Sequence, residues 1–200
     1  MSVDALSGGF ADPVTEAQAV FRAVLDVLSR PGTIAALVPG VRPPPPLNAG
    51  AAAVLASLAD QDTPVYLDAA LAAEPAVATW IGFHTGAPVI DDPEAVTFAV
   101  IADPAAMPAL SQFRLGTDEY PDRSTTIVMQ VADFAGSALI LEGPGIDETA
   151  HLAPHPSPAN FAEQFRANRG LYPRGVDLIF ATGDSLAALP RSTRIRQGAA

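Results

Sequence analysis

GVDLIFATGDSLAALPRSTRI, residues 175–195, reads as two buried strands joined by a tight turn and followed by a polar exit. Asp177 precedes the apolar run 178–181, and residues 186–189 offer a return strand of matching length. Between them, Gly183 and Asp184 tolerate the positive φ that a two-residue hairpin turn favours. Pro190 has no N–H to give a ladder and is expected to end the pairing. Arg191, Ser192, Thr193 and Arg194 then emerge at a sheet end as donors suited to an anion. The competing reading is a solvated strand terminus carrying two surface arginines.

Upstream of this hairpin, helical and strand patterns are interspersed. Asp12-Pro13 can open a helix whose apolar positions 17, 20, 21, 24, 25 and 28 recur at helical spacing, until Pro31-Gly32 stops it. Residues 33–38 suit a strand, the prolines of 43–46 impose an extended connection, and Asn48 caps an alanine-rich helix reaching about residue 59. A short strand at 65–67 and a helix from Pro75 to His84-Thr85-Gly86 follow, then a strand at 96–101 and a brief helix within 107–113. Residues 125–131 are expected to pair with 137–141 across the turn at 134–136, and 158–168 supply a last helix. The pattern predicts an α/β fold, a mixed β-sheet flanked by helices, in one domain over residues 1–200 with termini frayed at about 1–9 and 197–200.

Composition narrows the chemistry. Cysteine is absent, which excludes disulfides, thiolate nucleophiles and cysteine-ligated clusters. All eleven basic residues are arginine, so no lysine amine is present for pyridoxal phosphate, a Walker A cradle or Schiff-base catalysis. The net charge of -11 disfavours nucleic acid and anionic lipid as partners, although a local arginine pair can still hold a small anion within the screening length of about 10 Å. No apolar run reaches the roughly 20 residues of a membrane span, and the N-terminus lacks a basic segment leading into an apolar one, so a cytoplasmic location is expected.

Few constellations suggest catalysis. His151 and His155 have helical ligand spacing, but Pro154 and Pro156 disfavour a helix there, and no metal site is expected. His84 falls at a helix end, where capping a carbonyl competes with proton transfer; it is the one catalytic candidate. Asp60 with Asp62 and Asp91 with Asp92 suit turns, and Gly143-Pro144-Gly145 reads as a turn because Pro144 lacks an amide for phosphate. The stretch 118–126, DEYPDRSTT, is either a binding loop offering Arg123 or a capped strand entrance.

Several motifs occur together in a fixed order: Phe21-Arg22, Ser29-Arg30-Pro31-Gly32, Leu58-Ala59-Asp60, Asp62-Thr63-Pro64-Val65, Phe83-His84-Thr85, residues 141–146, Gly175-Val176-Asp177-Leu178-Ile179 and Leu189-Pro190-Arg191-Ser192-Thr193. In this order and spacing the chain resembles the PhnH family, subunits of the bacterial carbon–phosphorus lyase core complex. The resemblance implies a fold like that of pyridoxal-phosphate-dependent transferases without the cofactor site, homodimers in isolation, and assembly with PhnG, PhnI and PhnJ. It implies no cofactor on this subunit. It also implies a place in phosphonate use, where alkylphosphonate is joined to ribose C1 of ATP, adenine leaves, and PhnJ then cleaves the carbon–phosphorus bond with an iron–sulfur cluster and S-adenosylmethionine. It transfers no catalytic residue. An accessory, non-catalytic role is therefore the leading expectation, with apolar alanine-rich helices as partner surfaces. The alternatives are an enzyme subunit that itself contacts phosphonate or ATP, through Arg123, Arg191 and Arg194 with His84 moving a proton, and a free-standing anion-binding module.

Overall fold

The computed structural model describes residues 6–198. The strands β1 (Ala35–Ala36), β2 (Val65–Leu67), β3 (Phe98–Ile101), β4 (Thr126–Gln130), β7 (Asp177–Ala181) and β8 (Ser185–Leu189) form one sheet in the order β1-β8-β7-β4-β3-β2. Its β2, β3, β4 and β7 run parallel; β8 runs antiparallel to β7, and the edge strand β1 runs antiparallel to β8. A second, antiparallel sheet takes β5 (Leu139–Glu142), β6 (Ala150–Leu152) and β9 (Arg194–Gln197) in the order β6-β5-β9.

Alternation within the strands sends side chains to two cores. Phe98, Val100, Val128 and Ile179 meet helices α1 (Pro13–Ser29), α2 (Ala49–Leu58) and α4 (Pro75–Thr85) on one face. Ala99, Ile101, Ile127, Met129, Leu178 and Phe180 face α5 (Phe161–Gly170) and the small sheet on the other. Strands covered on both sides read as continuous apolar runs, which is why 178–181 and 186–189 stand out in the sequence. The architecture is thus a mixed α/β fold with a central sheet flanked by helices, as expected.

Local sequence accounts for the helix ends. Asp12 caps α1 through Thr15, and hydrogen bonds from Thr15 hold its carboxyl below the usual carboxylate range. Gly86 closes α4 at φ 77°, a left-handed conformation that glycine adopts without strain. Asp68, not singled out beforehand, caps the short helix α3 (Ala69–Ala72), and its carboxylate also accepts from the amides of Ala102 and Asp103.

Asn48 caps α2 by accepting from Ala51, donates 2.9 Å to the Ala181 carbonyl, and its own amide donates to Gln130 Oε1. Gln130 in turn donates to the Pro46 carbonyl. A Cβ on Gly50 would come within 2.1 Å of the Thr182 oxygen, so the small first turn of α2 sits directly on the carboxyl ends of β4 and β7. Asn48→Ala is expected to lower the unfolding free energy by about 2 kcal/mol, the cap plus a stranded buried acceptor. Chemical denaturation with an unchanged m-value checks it.

The structure corrects four expectations. Residues 125–131 do not pair with 137–141: β4 lies between β3 and β7, and β5 belongs to the other sheet. The 33–38 strand shrinks to two residues at the sheet edge. The closing hairpin forms as read, with Leu178 opposite Leu189, but neither Gly183 nor Asp184 takes a positive φ; the Thr182 hydroxyl, bonded to the Asp184 amide and carboxylate, holds the turn instead. Alanine-rich α2 is buried from Gly50 to Leu55 and offers no partner surface there. Of the termini expected to fray, the Gly8 carbonyl accepts from Arg42 and Gln197 pairs with Leu139, while residues 1–5 and 199–200 lie outside the described residues.

Candidate functional site

The residues after Pro190 do not end at solvent. A turn closed by Thr193 N donating to the Pro190 carbonyl carries the chain from the large sheet into β9 of the small one. Because Leu178 faces Leu189, Asp177 lies beside the start of this turn. Arg191 donates from its backbone N and from Nε (3.1 Å) to Asp177 Oδ1, from the NH2 amine (2.5 Å) to Oδ2, and from the other amine to the Pro121 carbonyl. Every arm of this guanidinium is committed to protein, so Arg191 holds loop 116–123 to the sheet end. Thr193 is fully buried, and its hydroxyl has no hydrogen-bond partner among the described residues.

Ser192 and Arg194 open instead on a cavity of about 510 Å³ at the corner between the two sheets, shared with Arg169, Tyr172, Glu142 and Glu148. The Ser192 carbonyl accepts from Arg169 Nε, and the Arg169 guanidinium lies 4.9 Å over the Tyr172 ring. Glu142 also pairs with Arg196. Two arginines against two glutamates leave this corner close to charge balance.

Arg123 lies elsewhere, in a basin of about 440 Å³ at the amino ends of β4 and β7, together with Arg114 and Arg174. Its guanidinium stacks 4.2 Å over Tyr120. The Leu115–Ser124 bridge, Thr125 N donating to the Arg114 carbonyl and Gly175 N donating to the Leu115 carbonyl shape the loop. Gly116 at φ 73° permits the turn, because a Cβ there would meet the Pro121 oxygen at 2.8 Å. Phe113 floors the basin and meets Tyr66 edge-on. Burial, with Asp68 and Asp91 adding to it, raises the Tyr66 phenol above its ordinary value and keeps it neutral.

His84 is placed away from both basins. Its Nε2 donates to the Ser7 carbonyl at 3.3 Å, the same oxygen that Trp80 Nε1 reaches at 3.0 Å, and its ring packs 4.6 Å from Trp80. A Cβ on Gly9 would lie 2.5 Å from His84 Nδ1. The ring therefore fastens the segment before α1 onto α4. No group of three or more metal-ligating side chains occurs among the described residues, and no helix among them is long and apolar enough to cross a membrane.

The sequence reading missed Arg114, Arg169, Tyr172 and Arg174. Arg174-Gly175 directly before a buried strand was the available signal, since loops that enter strands often carry recognition.

Fold and basins together define an α/β protein with a largely parallel central sheet, whose cationic side chains gather at the amino ends of the strands and at the corner with a small second sheet. Residues 8–196 match the family described as bacterial phosphonate metabolism protein (PhnH). The chain therefore belongs to the PhnH family. It is 45% identical over 192 residues, 96% of each chain, to the alpha-D-ribose 1-methylphosphonate 5-triphosphate synthase subunit PhnH of Rhizobium meliloti (strain 1021). It is also 39% identical over 83 residues, 41% of this chain and 43% of the relative, to the putative C-P lyase subunit protein HtxG of Stutzerimonas stutzeri. The chain is thus a PhnH-family protein of phosphonate metabolism.

Proposed function

We propose that this chain works in the cytoplasm as a docking subunit of a carbon–phosphorus lyase core, beside PhnG, PhnI and PhnJ. There it supports transfer of alkylphosphonate to ribose C1 of ATP with loss of adenine. The observation that carries this reading is an uncovered apolar stripe on α1. Val14, Phe21 and Leu25, 81%, 44% and 50% exposed, fall on one helical face at spacings of seven and four, while Val20, Val24 and Val27 fill the core from the other. β1, which among the described residues pairs only with β8, packs against α1 and is flanked by exposed Ile34 and Val38. An apolar helix face beside a free strand edge is the surface a permanent partner covers. In isolation a second copy of the chain is proposed to cover the same face, giving a homodimer. The commitment of Arg191 to Asp177 and of His84 to Ser7 supports an accessory rather than an independently catalytic role. The family's likeness to pyridoxal-phosphate-dependent transferases is proposed to be one of backbone only, since the chain has no lysine.

Tagged protein expressed with PhnG, PhnI and PhnJ tests the reading. Phe21→Glu with Leu25→Glu is expected to remove the chain from the co-purified assembly and abolish adenine release from ATP plus methylphosphonate. Its melting temperature should stay within about 2 °C of the parent's, because both side chains are half-exposed. An assembly of unchanged composition would overturn the docking surface.

A further inference from the structure

The geometry points to a binding site for a phosphorylated small molecule, with its oxyanions in the Arg114–Arg123–Arg174 basin and an attached apolar or planar group in the groove beside it. Among the described residues neither Arg114 nor Arg123 makes an ion pair, although 22 acidic residues outnumber the arginines two to one. Two arginines without ion pairs on one concave surface leave guanidinium donors free to meet a ligand. The stacking of Arg123 on Tyr120 fixes the guanidinium plane in advance, so less side-chain freedom is lost when a phosphate arrives.

Arg174 supplies the second observation. Its Nε is buried and makes no aligned hydrogen bond, yet lies 3.1 Å from Oδ1 of Asp118, a side chain 83% exposed on the rim of the loop. An exposed carboxylate touching a buried, unsatisfied donor is a weak tenant. A phosphate oxygen aligned with that Nε would replace it and form the charge-assisted hydrogen bond that Asp118 does not. Glu94 is the one acidic residue lining the basin, and Glu119 and Asp122 stand exposed on the same loop. These carboxylates offset the arginines' net charge, so retention depends on direct contact, which a ligand whose oxygens reach several guanidinium groups at once makes and a monovalent anion does not.

The apolar half follows from continuity. A cavity of about 310 Å³ between residues 109–115 and α5 shares Ser111 and Leu115 with the basin. Leu110, Ala167 and Leu171 line it. Its amides are already used: Asn168 bonds both ways with Val176, and Gln164 bonds with Leu110 and Asn160. The groove consequently receives a flat or apolar group through contact area, without reading its hydrogen-bond pattern. This inference does not rest on the docking-subunit reading: one concerns the isolated chain, the other its assembly.

Titration calorimetry of the full chain, without divalent cations, with ATP, tripolyphosphate and adenosine tests it. ATP is expected to bind more tightly than tripolyphosphate, and adenosine to give no signal at the same concentrations. Arg114→Ala and Arg123→Ala should each weaken ATP by about tenfold to a hundredfold. Ala167→Phe, which fills the groove from an exposed helix position, should reduce ATP to the tripolyphosphate level while leaving tripolyphosphate unchanged. Asp118→Asn should tighten both phosphates several-fold, and Asp122→Asn, the same charge change without the Arg174 contact, should not. The proposal is overturned if neither phosphate binds, if the two arginine variants bind ATP like the parent, or if Arg194→Ala in the other cavity costs as much affinity as they do. Equal tightening by the two aspartate variants would also overturn it, since it would reduce the effect to net charge.

Discussion

Arg191→Ala is expected to lower the unfolding free energy by about 3 kcal/mol and the melting temperature by roughly 6–12 °C. Arg191 and Asp177 have side chains only 15% and 20% exposed, so removing the guanidinium strands a carboxylate that water reaches poorly. The Pro121 carbonyl loses its donor at the same time. Arg191→Lys should recover little of the loss, because one ammonium cannot span Asp177 and Pro121 as the forked guanidinium does. Hydrogen exchange should quicken within 116–123, the loop this side chain anchors, and stay unchanged in β3. A melting temperature within 2 °C of the parent's would return Arg191 to the pool of available anion ligands.

The same pair shows what was readable in the chain beforehand. Once Leu178 is placed opposite Leu189, Asp177 must sit beside Pro190 and Arg191, so the ion pair was implicit in the hairpin. Taken alone, Arg191 reads either as a donor for an anion or as a surface arginine; the register, which delivers Asp177 to it, decides for neither. The helices were legible because caps and apolar periodicity are local: Asp12, Asn48 and Gly86 each act within a few residues. The fate of β4 was not, because two apolar runs near a glycine resemble a hairpin whichever partners they take. What separates them is burial, complete on β4 after Thr126 and alternating on β5, and burial depends on distant β3 and β7. β9 escaped notice because Ile195 is its one buried apolar residue, too little to register as a strand. The arginine basin was hidden for a related reason: Arg114, Arg123 and Arg174 are brought together by the Leu115–Ser124 bridge and the Gly175–Leu115 hydrogen bond, neither of which leaves a pattern in sequence spacing.

Gly145→Val should be the most damaging single change in the loop between β5 and β6, with an expected loss of about 4 kcal/mol or more. Gly145 has φ 79°, where a β-branched residue is strained by about 1–2 kcal/mol before any contact is considered. A Cβ there would also lie 1.9 Å from the Ser29 carbonyl oxygen and 3.3 Å from Pro31 Cδ. Neither neighbour can yield cheaply, because Ser29 is the last residue of α1 and Pro31 is ring-locked. The loop would have to lift from the end of α1, and Gly32, whose own missing Cβ admits Ala150, would lose its packing against β6. This contact ties the small sheet to the end of α1, so the loss should appear as unfolding of β5 and β6 at lower denaturant than β3 and β4 in residue-resolved hydrogen exchange. Added phosphate should not restore stability if the Gly143-Pro144-Gly145 turn is there to let two backbones approach; a restoration by millimolar phosphate would instead make it an anion-binding loop.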